Sequence, residues 1–236
     1  MWPYAGARRA PRSYGKRPRS VQRLAVLFAA LCGVLMAIPG PAPAAEKTIK
    51  IVAFGDSLSA GYQLPADAAF PAQLERALKA KGLAVDVVNA GVSGDTSSGG
   101  LSRLDWSVPE GTDAVILELG ANDMLRGVDP KVTRTALTEI VQRLKARRIE
   151  VLLCGMRAQP NFGPEYVTAF DAIYPDLAKA NDLLHYPFFL DGVIGNRSLN
   201  QADGLHPTAA GVAKIVSGIM PQVEALLARV KAKPAS

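Results

Sequence analysis

Five near-continuous apolar runs, each followed by an amphipathic stretch, leave few folds open to this chain. The runs are Ile49–Phe54, Val85–Asn89, Ala114–Leu119, Val151–Cys154 and Leu184–Phe189. Runs of this length without polar alternation predict strands buried on both faces. Between them, Phe70–Lys79, Val132–Lys145, Tyr166–Lys179 and Ala209–Val230 repeat apolar residues at helical spacing, with a shorter, weaker pattern over Thr96–Leu104. Strands alternating with helices predict right-handed crossovers and a parallel sheet covered on both sides. In such sheets a ligand binds beyond the carboxyl ends of the strands.

Charge narrows the partners. The formal net charge is +6, from 27 Lys+Arg against 21 Asp+Glu. Seven of the basic residues (Arg8, Arg9, Arg12, Lys16, Arg17, Arg19 and Arg23) fall in the first 23 residues, which hold no acid. The remainder carries 20 basic against 21 acidic residues, a net charge of −1, so the basic character gives no reason to expect nucleic acid. Behind the basic stretch lies an apolar one from Leu24 to Ile38, then Pro39-Gly40-Pro41-Ala42-Pro43-Ala44-Ala45. Fifteen helical residues rise roughly 22 Å, short of a hydrocarbon core of about 30 Å. Residues 1–45 are therefore expected to be an export signal cleaved near Ala44 or Ala45, and 46–236 the folded domain. The expected destination is the periplasm or the exterior, with no stable membrane insertion once the leader is gone. Cys154 is then the only cysteine, inside an apolar run, and reads as a small buried hydrophobe.

The residues able to do chemistry fall at the ends of the expected strands. Ser57 follows the first, in Gly55-Asp56-Ser57-Leu58. Gly91-Val92-Ser93-Gly94-Asp95-Thr96 follows the second, and Gly120-Ala121-Asn122-Asp123 the third. Asp203-Gly204-Leu205-His206-Pro207 follows the last. A serine hydroxyl attacks only when a base takes its proton and an acid holds that base. The chain has only two histidines, and His206 has a carboxylate, Asp203, three positions away within the Asp-Gly-Leu-His-Pro block. His185 reads as a structural residue flanking a strand. No cluster of ligands at zinc spacing, no dinucleotide fingerprint and no phosphate loop is present, so neither metal nor cofactor is expected.

These four blocks, in this order, resemble the SGNH, or GDSL, hydrolase superfamily over essentially all of residues 48–230. Further identities in Ser57-Leu58-Ser59-Ala60-Gly61-Tyr62, Leu125-Arg126-Gly127 and Ala172-Ile173-Tyr174-Pro175 are similar to its bacterial periplasmic thioesterase I, lysophospholipase and arylesterase branch. The resemblance implies a three-layer α/β/α, flavodoxin-like fold with a parallel, mainly five-stranded sheet. It implies Ser57 as nucleophile, His206 as base and Asp203 as the acid that orients it. The N–H groups of Ser57 and Gly94 and the amide of Asn122 would form the oxyanion hole. Substrate contacts are implied at Asp56 and Leu58, and along the acyl-lining loop at Met156, Arg157, Ala158 and Pro160. Asp56 is further expected to shape the nucleophile turn. The implied substrate is a small acyl ester, a thioester or a lysophospholipid. A carbohydrate O-acetylesterase is the competing enzyme. The competing non-enzyme is a flavodoxin-like binding or receiver module in which Asp56 takes the phosphate or contacts the ligand, since the same alternation of elements serves many functions.

Overall fold

A computed structural model describes Gly15 and residues 47–233. The expected leader and its cleavage point lie outside the described residues. Five strands form one parallel sheet: β1 Ile49–Gly55, β2 Val85–Gly91, β3 Ala114–Glu118, β4 Glu150–Cys154 and β5 Leu184–Tyr186. Their order is β2-β1-β3-β4-β5. The chain therefore starts in the interior of the sheet, adds β2 on one side, then returns to build the other. Where that direction reverses, the loops after β1 and β3 diverge and leave a crevice.

The helices are α1 Ser57–Ala60, α2 Phe70–Ala80, α3 Ser97–Ser107, α4 Ala121–Leu125, α5 Pro130–Ala146, α6 Pro164–Asp171, α7 Ile173–Asn181 and α8 Ala209–Ala232. With right-handed crossovers, α2 and the returning α8 cover one face, where they touch each other. The helices α3, α5 and α7 succeed one another across the other face. The expected three-layer architecture is present.

The sheet is the centre of the core. Every residue of β3 is buried, as are Ile51, Val52, Ala53 and Phe54 of β1. Removing each of the Val, Ile, Leu and Phe side chains among them from water favours folding by about 1.5–3 kcal/mol. The helix α8 holds an 18-residue window of mean hydropathy 1.2, long and apolar enough to cross a membrane, yet half of it is buried in the protein. Its apolar stripe of Val212, Ile215, Val216, Ile219, Val223 and Leu226 is buried. It starts where the Thr208 hydroxyl accepts from the Gly211 N–H at 3.2 Å.

Two elements depart from the sequence reading, each at a proline. The pattern over 166–179 reads as one helix, but the chain breaks at Ala172 into α6 and α7. Pro175 has no N–H for the Asp171 carbonyl, and its ring would crowd that carbonyl in a continuous helix. The fifth strand ends at Tyr186 rather than Phe189, because Pro187 cannot donate to a ladder.

Candidate active site

The strand ends deliver the expected residues to one crevice. The nucleophile turn leaves β1 at Gly55 and starts α1 at Ser57. Asp56 caps that helix, its Oδ1 accepting from the Leu58 N–H at 3.0 Å. Ser57 is buried to 8% exposure. Its Oγ lies 2.9 Å from His206 Nε2, although 149 positions separate the two residues. The other imidazole nitrogen, Nδ1, is 2.7 Å from Asp203 Oδ2. Hydroxyl, imidazole and carboxylate thus stand in one line of hydrogen bonds.

Asp203 is fixed before it meets the imidazole. Its Oδ1 accepts from the backbone N–H of His206 at 3.0 Å and of Leu205 at 2.9 Å. Those two donors, His206 first, hold its carboxyl at a pKa of about 2, well below the usual range, with the imidazole adding to the effect. The carboxylate is charged at any neutral pH and keeps Nδ1 protonated, leaving Nε2 free to accept from the serine. On the imidazole's flank, the Tyr62 ring sits 4.5 Å away, centroid to centroid, tilted by 38°.

The three expected anion donors are near one another through shared partners. Asn122 lies in the short helix α4, and its Nδ2 donates to Asp56 Oδ2 at 3.0 Å and to the Asp95 carbonyl at 2.9 Å. Both amide hydrogens are engaged, so an oxyanion at this point would have to take one over. Gly94, with φ of +84°, makes the turn between β2 and α3. A side chain there would be strained, and none hinders approach to its N–H. The Gly94 carbonyl accepts from Arg126 Nη2 at 2.7 Å.

The expected substrate contacts separate into two groups. Asp56 is wholly buried and Leu58 nearly so, at 6% exposure. Asp56 works through Asn122 and the α1 cap, and the Leu58 side chain belongs to the core. Met156 and Ala158 are also buried, and the Ala158 N–H donates to Asp171 Oδ1 at 2.8 Å. Pro160 is exposed, as is Arg157, whose guanidinium lies 5.0 Å from the Phe188 ring centroid. None of these four loop residues bonds to Ser57, Asn122, Asp203 or His206.

Several residues around the site carry no recognisable local signal. Asp123 is fully buried and accepts from the Ser97 N–H and hydroxyl at 2.8 and 2.5 Å and from the Thr133 hydroxyl at 3.0 Å. It ties α4, and with it Asn122, to the starts of α3 and α5. Glu118 ends β3 directly beneath the nucleophile turn. Its Oε2 accepts from the Ser59 hydroxyl at 2.8 Å and the Asp56 N–H at 3.3 Å, while Oε1 has no protein partner. Burial, reinforced by the neighbouring Asp56, pushes the Glu118 carboxyl well up. Burial likewise raises Asp56 to about 6, against the lowering effect of the Leu58 N–H and Asn122. Arg103, on α3, is also buried among polar partners. Cys154 is buried and its thiol is pushed up by that burial, in keeping with an inert core position. His185 lies in β5, apart from this constellation.

A parallel sheet with a nucleophile turn after its first strand, and a histidine and acid before its last helix, defines an ester hydrolase of the SGNH type. Comparison with known proteins agrees: the chain belongs to the GDSL-like lipase/acylhydrolase family, whose profile matches residues 53–214. It is similar to esterase TesA of Pseudomonas aeruginosa, 38% identical over 198 residues, spanning 84% of this chain and 98% of the relative. It is 42% identical over 185 residues to the thioesterase 1/protease 1/lysophospholipase L1 of Escherichia coli strain K12, covering 78% and 86%. The solved structure of the psychrotrophic esterase EstA from Pseudoalteromonas sp., inhibited by monoethylphosphonate, is 30% identical with a TM-score of 0.72, covering 76% and 98%.

Proposed function

We propose that this chain is an exported serine esterase that hydrolyses carboxylic esters and thioesters of acyl chains, including lysophospholipids, through an acyl-enzyme on Ser57. The observation that carries the reading is the line from Ser57 Oγ through His206 to Asp203, with bonds of 2.9 and 2.7 Å. His206 Nε2 takes the hydroxyl proton as Ser57 attacks the acyl carbonyl, and the ionised Asp203 stabilises the imidazolium. The carbonyl oxygen becomes an anion and is met by the N–H groups of Ser57 and Gly94 and by Asn122. Each such donor is worth roughly 10²–10³ in rate. Collapse of the tetrahedral species breaks the bond to the alcohol or thiol, which leaves with the proton from His206. A water activated by the same imidazole then releases the acid and restores Ser57.

An acyl substrate suits the surroundings. Tyr62, Val92, Leu125 and Leu205 are all exposed large apolar residues, and each adjoins a site residue in space or within three positions in sequence. The names of the relatives, esterase and thioesterase 1/lysophospholipase L1, support the same substrate class. Export rests on the leader: a basic stretch, an apolar stretch too short to span a bilayer, and small residues at 44 and 45. The test is turnover of nitrophenyl acyl esters and a lysophospholipid by purified enzyme and by Ser57→Ala. Loss of at least about 10³-fold with an unchanged melting temperature is expected. Retained turnover in the variant removes Ser57 from the chemistry.

A further inference from the structure

We propose that Arg103 is a positioning residue that assembles the oxyanion cradle, holding all three anion donors in register from beneath. Arg103 is 6% exposed and reaches from α3 under the loops that carry the site. Its Nη2 donates to the Gly55 carbonyl at 2.8 Å, two residues before Ser57. Its Nε donates to Asp95 Oδ2 at 2.5 Å, one residue after Gly94. Its Nη1 donates to the Ala90 carbonyl at the end of β2 at 2.8 Å and to Ser107 Oγ at 3.1 Å. The carbonyl of the same Asp95 accepts from Asn122 Nδ2 at 2.9 Å. One planar guanidinium therefore spans the strand end leading to Ser57, the turn containing Gly94, and the residue that holds the Asn122 amide.

The chain is shaped to admit this bridge. Gly99 stands on the first turn of α3, where a β-carbon would sit 2.2 Å from Asp95 Oδ1. The Phe54 ring faces the guanidinium, its centroid 4.3 Å from Cζ. Burying a charge is costly unless geometry and hydrogen bonding are satisfied, and an ammonium, with three N–H groups on a single nitrogen, cannot reach four diverging acceptors at once. A pair retained only for stability could be replaced by apolar packing. Two of the four acceptors point instead to geometry: Gly55 lies two residues before Ser57, and Asp95 adjoins Gly94 and bonds through its carbonyl to Asn122.

The inference rests on the reading of Ser57, Gly94 and Asn122 as oxyanion donors, so Ser57→Ala is measured alongside as the separate test of that reading. Arg103→Lys and Asp95→Asn are assayed with a nitrophenyl ester and with a trifluoromethyl ketone, which forms a tetrahedral adduct. The expected result for Arg103→Lys is a kcat lower by about 100-fold, the worth of one misplaced donor, with KM changed less than about threefold. The ketone should bind more weakly in proportion to the loss in kcat/KM. Asp95→Asn should follow the same split, and the double variant should be little worse than either single one. A cooperatively melting Arg103→Lys enzyme with unchanged kcat, a loss confined to KM, or undiminished ketone affinity overturns the proposal. If Arg103→Lys does not fold, Asp95→Asn decides by the same criteria. If Ser57→Ala stays active, the underlying reading falls; if it is dead while Arg103→Lys is fully active, only the role of Arg103 falls.

Discussion

Asp203 illustrates how much of the site is set by single side chains. Two backbone N–H groups hold its Oδ1 and the imidazole holds its Oδ2, so its ionised form is favoured down to a pKa of about 2. A carboxyl depressed from its unfolded value contributes stability that is complete above about pH 4. That contribution is lost as pH falls through the folded value, so the window is about pH 4 to 2. Asp203→Asn keeps an acceptor for the two N–H groups but offers the imidazole an amide, which no longer fixes the productive tautomer. Its kcat is expected to fall roughly 10⁴-fold, the loss such a change causes in a serine triad, with little change in KM or fold. Steady-state kinetics with circular dichroism on the variant checks this. The three residues of the line were legible in the sequence because each sits in a short block that also carries its local geometry. Arg103, Glu118 and Asp123 were not. Arg103 and Glu118 are charges inside runs otherwise read as helix or strand, and Asp123 is one more aspartate in a strand-end loop. Partners such as Gly55, Ser59 and Ser97 lie 26–59 positions away, where no local pattern points to them.

Among the elements, the strands were the most legible, because full burial on two faces writes itself as an apolar run. Helix positions followed from spacing, while the helix break before Pro175 and the strand end before Pro187 followed from proline chemistry that periodicity alone does not weigh. The short helix α4, which presents Asn122, has too few residues to show a period. The start of α3 shows the cost of building a site into an element. Ser97-Ser98-Gly99-Gly100 is a poor helix-forming run, and glycine costs about 1 kcal/mol relative to alanine within a helix. Gly99→Ala should favour the helix locally yet push its new methyl into the Asp95 carboxylate, which lies 2.2 Å from where it would stand. The expected outcome is a lower kcat, by about tenfold or more, since an ångström of misplacement in a site is costly in rate. Kinetics of Gly99→Ala beside its melting curve tests this, and unchanged kcat would show that the Asp95 loop yields freely.

At the scale of the whole molecule, buried acid beneath the nucleophile turn links folding to pH. Asp56 is raised to about 6 and Glu118 well above its usual value, both chiefly by burial. A carboxyl raised in the folded state binds its proton more tightly there than in the unfolded chain. The contribution of these two acids to stability is therefore greatest below the unfolded value and, for Asp56, falls as pH climbs from about 4 through 6. Glu118→Gln keeps an acceptor for the Ser59 hydroxyl and the Asp56 N–H but removes one of the paired acids. The variant should gain on the wild type as pH rises, melting about 2–4 °C higher at pH 8 for each kcal/mol relieved, with no gain at pH 4. Melting curves across that range settle the sign. Every part of this picture converges on one oxygen atom. Incubation with a fluorophosphonate, followed by peptide mapping in a mass spectrometer, reads it directly. A nucleophilic Ser57 gives a single adduct on the peptide containing it, lost when His206 is replaced by alanine. Active enzyme that stays unmodified, or is modified on another residue, contradicts it.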